Sequence, residues 1–161
     1  MSDTTIKTPD GCFSLEDITT FRALDGEKLA DANYYFWTDA EKGDQRFLFF
    51  LEILFVSEQA LILTSGEDTD AIRIVEAMDV INKAKELMAR NEHKPAMQQM
   101  NATASGIWQP FAGQPLQSVR LSKNEEGLYL NDAILLDFGT GGIIVALHDK
   151  GGLAITSESA T

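Results

Sequence analysis

Apolar and polar residues alternate with two different periods along this chain, and the periods predict two kinds of element. Apolar side chains recur at helical spacing between about 77 and 91, which predicts one long helix. A short helix is predicted at about 15–22, because Ser14 and Asp17 have the form of a capping box and apolar residues follow three apart. The remaining apolar runs have strand composition and are separated by polar or Gly-rich turns. The predicted strands are 28–37, 47–56, 60–65, 71–75, 116–123, 133–138, 143–148 and 153–156.

The order of these elements predicts an α+β fold with a twisted, mostly antiparallel sheet. Only one stretch between two strands is long enough to hold a substantial helix, so repeated parallel crossovers are not expected. The Met-rich segment 97–105 has no clear period, and we interpret it as a connection. The chain, residues 1–161, is expected to form a single domain.

The two halves of the chain can be aligned, which predicts an internal duplication of about 24–75 and 111–156. A Gly-x-x-Leu step opens each half, and each half then forms a β-meander. Two such units would share one core around a pseudo-twofold axis. The alternative is a coincidence of β patterning, with a small mixed sheet and a separate helix. The aligned positions are Gly26 with Gly113, Phe55 with Phe138, Ala60 with Ile143 and Ala71 with Ala154.

The chain is acidic overall, and its acidic residues are unevenly distributed. The chain has 25 acidic and 13 basic residues, a net charge of −12, and residues 1–80 hold 17 acidic against 6 basic side chains. An acidic surface repels phosphate groups, so neither nucleic acid nor an anionic membrane is expected as a partner. A basic protein partner is expected instead, because the field of the first half would accelerate its approach. Solubility alone is the alternative explanation of the charge.

Aromatic side chains beside these acidic residues would supply a protein-binding surface. Residues 34–37 read Tyr-Tyr-Phe-Trp, and two of the four side chains must face away from the core unless both faces of the strand are covered. Core packing under the long helix is the alternative. The predicted partner-binding residues are Tyr35, Trp37, Asp25, Asp31 and Asp39.

Candidate catalytic residues are few. The chain has two histidines and one cysteine, without a nucleophile or phosphate-loop motif, so no cofactor, intrachain disulfide or Cys-rich zinc site is predicted. A two-residue turn at 140–141 would place Ala133 opposite His148. The same register would gather His148, Asp132 and Asp149 at one end of the sheet, where a histidine beside carboxylates could act as a general base or hold a metal. Ordinary polar strand ends are the alternative.

These observations lead to two classes of function. No run reaches the roughly 20 apolar residues of a membrane span, and the first ten residues lack the apolar core of a secretory signal, so we expect a cytoplasmic protein. The favoured function is a small acidic protein-binding module of the immunity or inhibitor type, with a basic partner. The alternative is a small hydrolase-like or metal-assisted enzyme that uses His148, Asp132 and Asp149.

Overall fold

Two antiparallel sheets and two helices make up the fold in the computed structural model, which describes residues 11–39, 45–90 and 97–159. The α+β class and the predominance of antiparallel strands confirm the prediction. In chain order the elements are α1 (Leu15–Arg22), β1 (Leu29–Asp39), β2 (Gln45–Phe55), β3 (Ala60–Thr64), β4 (Arg73–Val75), α2 (Ala77–Arg90), β5 (Met97–Asn101), a 3₁₀ helix (Gln109–Phe111), β6 (Ser118–Arg120), β7 (Ala133–Asp137), β8 (Gly141–Leu147) and β9 (Leu153–Ser159).

Both predicted helices are confirmed. The Ser14 hydroxyl accepts a hydrogen bond from the Asp17 N–H at 3.1 Å, and the Asp17 carboxylate accepts one from the Ser14 N–H at 3.2 Å, which completes the capping box of α1. Helix α2 ends at Arg90, and it buries Val80 and Leu87 of its apolar stripe. The seven-residue separation of Val80 and Leu87 places them on one face of the helix.

The first sheet has the strand order β4-β3-β2-β1-β5, and the second has the order β6-β7-β8-β9. One apolar core lies between the two sheets, and α1 contributes Ile18 and Phe21 to it. A second apolar cluster lies on the other face of the first sheet, where α2 covers it. The sheet residues of the first core include Leu51, Ile53, Leu61, Leu63, Ile134, Leu136, Ile143 and Val145. Those of the second cluster are Trp37, Phe47, Phe49, Phe50 and Ile62.

The interpretation of 97–105 as a connection is wrong, because residues 97–101 form β5. This strand is hydrogen-bonded along the edge of the first sheet, with Met97 paired to Trp37 and Asn101 paired to Asn33. Hydrogen bonds to β1 define the strand, and most of its side chains are exposed. An edge strand of this kind has no apolar period to reveal it. The predicted strand 116–123 is also shorter, since only Ser118–Arg120 pairs as a strand.

Both halves of the chain form a four-stranded meander, and their first two strands pair in matching register. Each of the three pairs between β6 and β7 has a counterpart between β1 and β2 in which both partners are displaced by a constant number of residues. The corresponding pairs are Asp31–Leu54 with Ser118–Asp137, Ala32–Ile53 with Val119–Leu136, and Asn33–Glu52 with Arg120–Leu135.

The starts of the two meanders pair with each other at equivalent positions. Lys28 forms an antiparallel bridge with Pro115, its own counterpart. Four backbone hydrogen bonds surround this bridge, and they form two equivalent pairs. Exchanging the two halves of the chain converts one bond of each pair into the other, as a twofold axis requires. They run from the Gly26 N–H to the Leu116 carbonyl at 2.7 Å, from the Gly113 N–H to the Leu29 carbonyl at 2.8 Å, from the Leu29 N–H to the Gln114 carbonyl at 3.0 Å, and from the Leu116 N–H to the Glu27 carbonyl at 2.9 Å. The duplication stays a prediction, and this geometry supports it.

The register requires a gap that the sequence alignment lacks. The Phe55 N–H reaches the Gln59 carbonyl across its turn, whereas the Phe138 N–H reaches the Gly141 carbonyl across a turn that is one residue shorter. Ile143 therefore corresponds to Leu61, not to Ala60. The difference matters because a shift of one residue exchanges the two faces of a strand. Leu61 and Ile143 are both buried in the core, whereas Ala60 is exposed.

Equivalent glycines give a test of the matching turns. Gly26 and Gly113 have φ angles of +85° and +79°, and a Cβ at either position would meet no atom within 4 Å. We expect Gly26→Ala and Gly113→Ala to lower the free energy of unfolding equally, by about 1–2 kcal/mol, because only the left-handed backbone opposes the methyl group. Urea denaturation measures both losses. Gly106→Ala, which also meets open space but lacks a positive φ, is the control and should change stability by less than about 0.5 kcal/mol. Unequal losses at Gly26 and Gly113 would contradict the equivalence.

Candidate functional site

The groove between α2 and the first sheet, called here the α2 groove, is a candidate site. It has a volume of about 310 Å³. The apolar stripe of α2 is wider than the sheet can cover, so Ile81 and Met88 remain 47% and 43% exposed. The edge strand β5 forms the opposite wall. The lining residues are Tyr35, Glu52, Ala77, Val80, Ile81, Ala84, Met97 and Gln99.

One acidic side chain, Glu52, lies in the lining of this largely apolar groove. Its carboxylate accepts hydrogen bonds from the Asn33 amide at 3.0 Å and from the Tyr35 hydroxyl at 3.4 Å. The Asn33 side chain is buried and also accepts a hydrogen bond from the Asn101 amide at 3.1 Å. No basic side chain of residues 11–39, 45–90 and 97–159 forms an ion pair with Glu52. A carboxylate held only by neutral donors is suited to receive a cationic group.

The pKa of Tyr35 reflects this environment. Burial raises the pKa of the Tyr35 hydroxyl, and the negative charge and hydrogen bond of Glu52 raise it further. Tyr35 therefore stays a neutral donor to Glu52 at physiological pH. Among the predicted partner-binding residues, Tyr35 is the one that lines this groove.

Trp37, the other predicted aromatic anchor, is a core residue in the structure. Its side chain is only 9% exposed, and its ring centroid lies 5.4 Å from that of Phe49. Both faces of β1 are covered, since Tyr34 and Phe36 pack against the core between the sheets while Tyr35 and Trp37 pack on the α2 side. Because both faces of β1 are covered, the Trp37 side chain packs in the core and is not exposed for a partner.

The three predicted acidic residues lie at different points of the first half of the chain. Asp25 is exposed in the turn after α1, and Asp31 accepts a hydrogen bond from the Thr103 hydroxyl at 3.0 Å. Asp39 is the last residue of β1, and its side chain lies outside the described part of the chain. Asp31 and Asp39 are eight positions apart along the extended strand β1, a distance of about 26 Å. Asp31 and Asp39 therefore do not share one local site, although all three residues contribute to the acidic field of the first half.

The predicted register around His148 is wrong by two residues. Ala133 pairs with Ala146, because the tight turn uses Gly139 and Thr140 and joins the Phe138 N–H to the Gly141 carbonyl. The glycine-rich segment permits either position of the turn, and Gly139 takes the positive φ of +85° that the observed one needs.

His148 instead stabilises its own turn. Its Nδ1 accepts a hydrogen bond from the Lys150 N–H at 3.0 Å and lies 3.3 Å from a carboxylate oxygen of Asp149, whose side chain is 92% exposed. Asp132 lies before β7, where its carbonyl accepts a hydrogen bond from the Leu147 N–H at 3.1 Å. Within the described ranges, no group of three or more His, Cys, Asp or Glu side chains is placed to hold a metal ion.

A network of ion pairs connects α2 with the turn that follows β3. Glu67 of this turn contacts Arg90 at 2.7 Å and Lys83 at 3.3 Å. Glu86 joins the same two basic side chains, Lys83 at 3.1 Å and Arg90 at 2.6 Å. These ion pairs lie on the side of α2 that faces away from the α2 groove. The same two basic side chains neutralise the carboxylate of Glu67, which the sequence alone would place in a solvated acidic turn.

The ion pairs make stability depend on pH in a predictable direction. The hydrogen bond from Arg90, with a further one from Lys83, holds the pKa of Glu67 below its ordinary value of 4.5. A lowered pKa in the folded state stabilises the fold above the unfolded pKa, and this contribution disappears as the pH falls through the folded value. We therefore expect Glu67→Gln to lower the free energy of unfolding by about 1 kcal/mol or less at pH 7, and the loss to vanish well below pH 4.5.

Urea denaturation of wild type and variant between pH 7 and pH 3 measures this difference. Glu125→Gln is the control, because Glu125 is exposed and takes part in no ion pair with another described residue. A loss for Glu67→Gln that stays constant over the whole pH range would contradict the role of the charged pairs.

Comparison with protein-family models, with curated proteins and with solved structures gives no match to this chain. Neither helix in the described ranges is long and apolar enough to cross a membrane. The α2 groove and the charge of the chain are the features that point to a function.

Proposed function

We propose that this chain is a protein-binding module whose α2 groove receives a basic, amphipathic segment of a partner protein. The observation that carries the proposal is the Glu52 carboxylate, which lines an apolar groove and is held there by the neutral side chains of Asn33 and Tyr35. A partner's lysine or arginine would complete the pairing of this carboxylate. The stem of such a side chain would pack on the apolar walls at Ile81 and Met97.

The charge of the whole chain favours the same partner. Residues 1–80, which include Tyr35 and Glu52, carry a net charge of −11 from 17 acidic and 6 basic side chains. A field of this sign raises the association rate of a basic protein, while the groove sets the orientation in which it binds. An acidic module of the immunity or inhibitor type acts in this way. Its proposed compartment is the cytoplasm, where the single Cys12 would stay reduced.

A selection experiment tests the preference for a basic segment. Peptides from a random displayed library are selected on the wild-type chain, and the affinity of the enriched peptides is then measured for wild type, Glu52→Gln and Glu58→Gln. We expect Lys or Arg beside aliphatic residues in the enriched peptides, about tenfold weaker binding to Glu52→Gln, and unchanged binding to Glu58→Gln. Both variants remove one negative charge, but Glu58 lies in the exposed turn between β2 and β3.

The salt dependence of the association rate is the second measurement. The rate should fall as the salt concentration passes about 0.15 M, where the Debye length is about 8 Å. Enrichment of acidic peptides would contradict the proposal. Equal affinities of the Glu52→Gln and Glu58→Gln variants would place binding outside the α2 groove.

A further inference from the structure

The outer face of the second sheet, which points away from the core between the sheets, carries an apolar patch. Its centre is the cross-strand pair of Leu135 and Ile144. Both side chains are half-buried and belong to neither apolar cluster. Small residues on the neighbouring strand positions extend the patch. We call it the second-sheet outer face, and it consists of Ala133, Leu135, Gly142, Ile144, Ala146 and Ala154.

The first half of the molecule has an equivalent face. In the first sheet Glu52 pairs with both Asn33 and Ile62, and in the second sheet Leu135 pairs with both Arg120 and Ile144. Leu135 therefore takes the place of Glu52. By the same register, Ile144 takes the place of Ile62, which is buried in the cluster beneath α2.

The equivalent face shows what kind of element such a sheet accommodates. On the first sheet the cover is α2, a helix of 14 residues that buries two aliphatic side chains seven positions apart, Val80 and Leu87. On the second sheet, α1 lies on the core side, since Ile18 and Phe21 belong to the core between the sheets. No helix among residues 11–39, 45–90 and 97–159 covers the second-sheet outer face.

The second-sheet outer face differs from the α2 groove in shape and in charge. A Cβ at Gly142 would stand 2.7 Å from a methyl group of Leu135, so the leucine side chain lies across the glycine and flattens the patch. On the same face, Arg120 pairs with Leu135 and forms an ion pair with Asp137 at 2.8 Å, and Glu158 pairs with Gly142 on the edge strand β9. Residues 81–161 as a whole hold 8 acidic and 7 basic side chains. A nearly neutral, flat surface with a leucine in place of Glu52 favours an aliphatic occupant over a basic one.

We propose that the second-sheet outer face docks an amphipathic helix of a partner protein, with aliphatic side chains seven residues apart, as α2 covers the first sheet. Alanine and glycine positions around Leu135 and Ile144 let a helix backbone approach the strands closely. Docking removes the apolar patch from water, which drives the association. The inference does not depend on the basic partner proposed for the α2 groove, because it concerns a different surface.

The test uses the full chain, labelled with ¹⁵N, and a synthetic peptide with the sequence of residues 76–91 as the helical probe. This peptide is chosen because α2 is the helix that the equivalent face accommodates. We expect amide shifts at residues 133–135 and 144–146 that saturate below about 1 mM peptide. A peptide in which Val80→Asp and Leu87→Asp are both introduced should cause no such shifts.

Two variants of the chain locate the binding surface. Leu135→Lys should weaken peptide binding at least about tenfold, whereas Ser57→Lys should leave it unchanged. Ser57 is exposed in the turn between β2 and β3 of the first sheet, so the control adds the same charge away from the second-sheet outer face. The amide spectrum of each variant reports its fold, and Ile144→Thr replaces Leu135→Lys if the lysine prevents folding.

Three results would overturn the inference. Shifts confined to the first sheet, around Phe50 and Ile62, would show that the peptide only competes with α2. An absence of shifts at about 1 mM peptide would show that the face accepts no helix of this kind. A homodimer that Leu135→Lys dissociates would assign the second-sheet outer face to a second copy of the chain.

Discussion

Replacing Trp108 by alanine is expected to lower the free energy of unfolding by about 3–5 kcal/mol. Trp108 is fully buried in the core between the two sheets. Its indole N–H donates a hydrogen bond to the Tyr34 hydroxyl at 2.7 Å. The substitution removes a large apolar side chain, leaves a cavity between the sheets and deprives Tyr34 of its donor. Urea denaturation followed by far-ultraviolet circular dichroism measures the loss.

Two further variants separate the contributions. Tyr34→Phe keeps the indole but removes its acceptor, so it should cost about 1–3 kcal/mol, less than Trp108→Ala. Trp37→Ala tests the core position of the second tryptophan, and a loss of more than about 2 kcal/mol is expected, because Trp37 packs among Phe47 and Phe49. A loss below about 1 kcal/mol for Trp108→Ala would contradict the shared core. Undiminished stability of Trp37→Ala would restore its role as an exposed anchor.

Helices and strand composition were the predictable part of this fold, because their signals are local. The capping box of Ser14 and Asp17 and the stripe of α2 each depend on residues a few positions apart. The structure confirms both helices at nearly the expected bounds. Strand β5 is different, since its hydrogen bonds to β1 join Met97 to Trp37 across the intervening sheet and helix. A strand whose pairing is distant and whose side chains are mostly exposed gives no local signal.

Register and burial were less accessible to sequence reasoning. The segment 139–142 contains three glycines, so it can form its tight turn at more than one position, and the choice decides where His148 lies. The burial of Trp37 depends on α2 covering the second face of β1, which is a tertiary property. An alternating strand predicts which side chains share a face but not whether that face is covered.

The candidate site was only partly predictable for the same reason. Tyr35 was identified from its aromatic neighbours, but Glu52 and Asn33 were not. The signal for Glu52 is present, because it is the single charged residue between Phe47 and Val56, the most hydrophobic run of the chain. A charged residue inside such a run is costly to bury unless it is hydrogen-bonded, and this makes its surroundings a place to look for a site. The groove itself needs α2 and β5 to meet, which the sequence does not show.

Gly152→Ala is expected to cost about 3 kcal/mol or more in free energy of unfolding. Gly152 has a φ of +79°, and a Cβ there would stand 2.7 Å from the carbonyl oxygen and 3.1 Å from the nitrogen of Leu48. The glycine lies just before β9, where the second sheet approaches β2 of the first. Its N–H also donates a hydrogen bond to the Thr69 hydroxyl at 2.9 Å. A methyl group adds backbone strain of about 1–2 kcal/mol and must also displace one of two packed backbones.

Gly127→Ala is the matched control for this prediction. Gly127 has a φ of +82°, but a Cβ there would meet no atom within 4 Å, so the strain of the left-handed backbone is the whole cost. We expect a loss of about 1–2 kcal/mol for Gly127→Ala. The difference between the two variants then measures the close approach of the sheets at Gly152 and Leu48. Equal losses in urea denaturation would mean that β9 moves away from β2 at little cost, and that the sheets are held together elsewhere, by the core around Trp108.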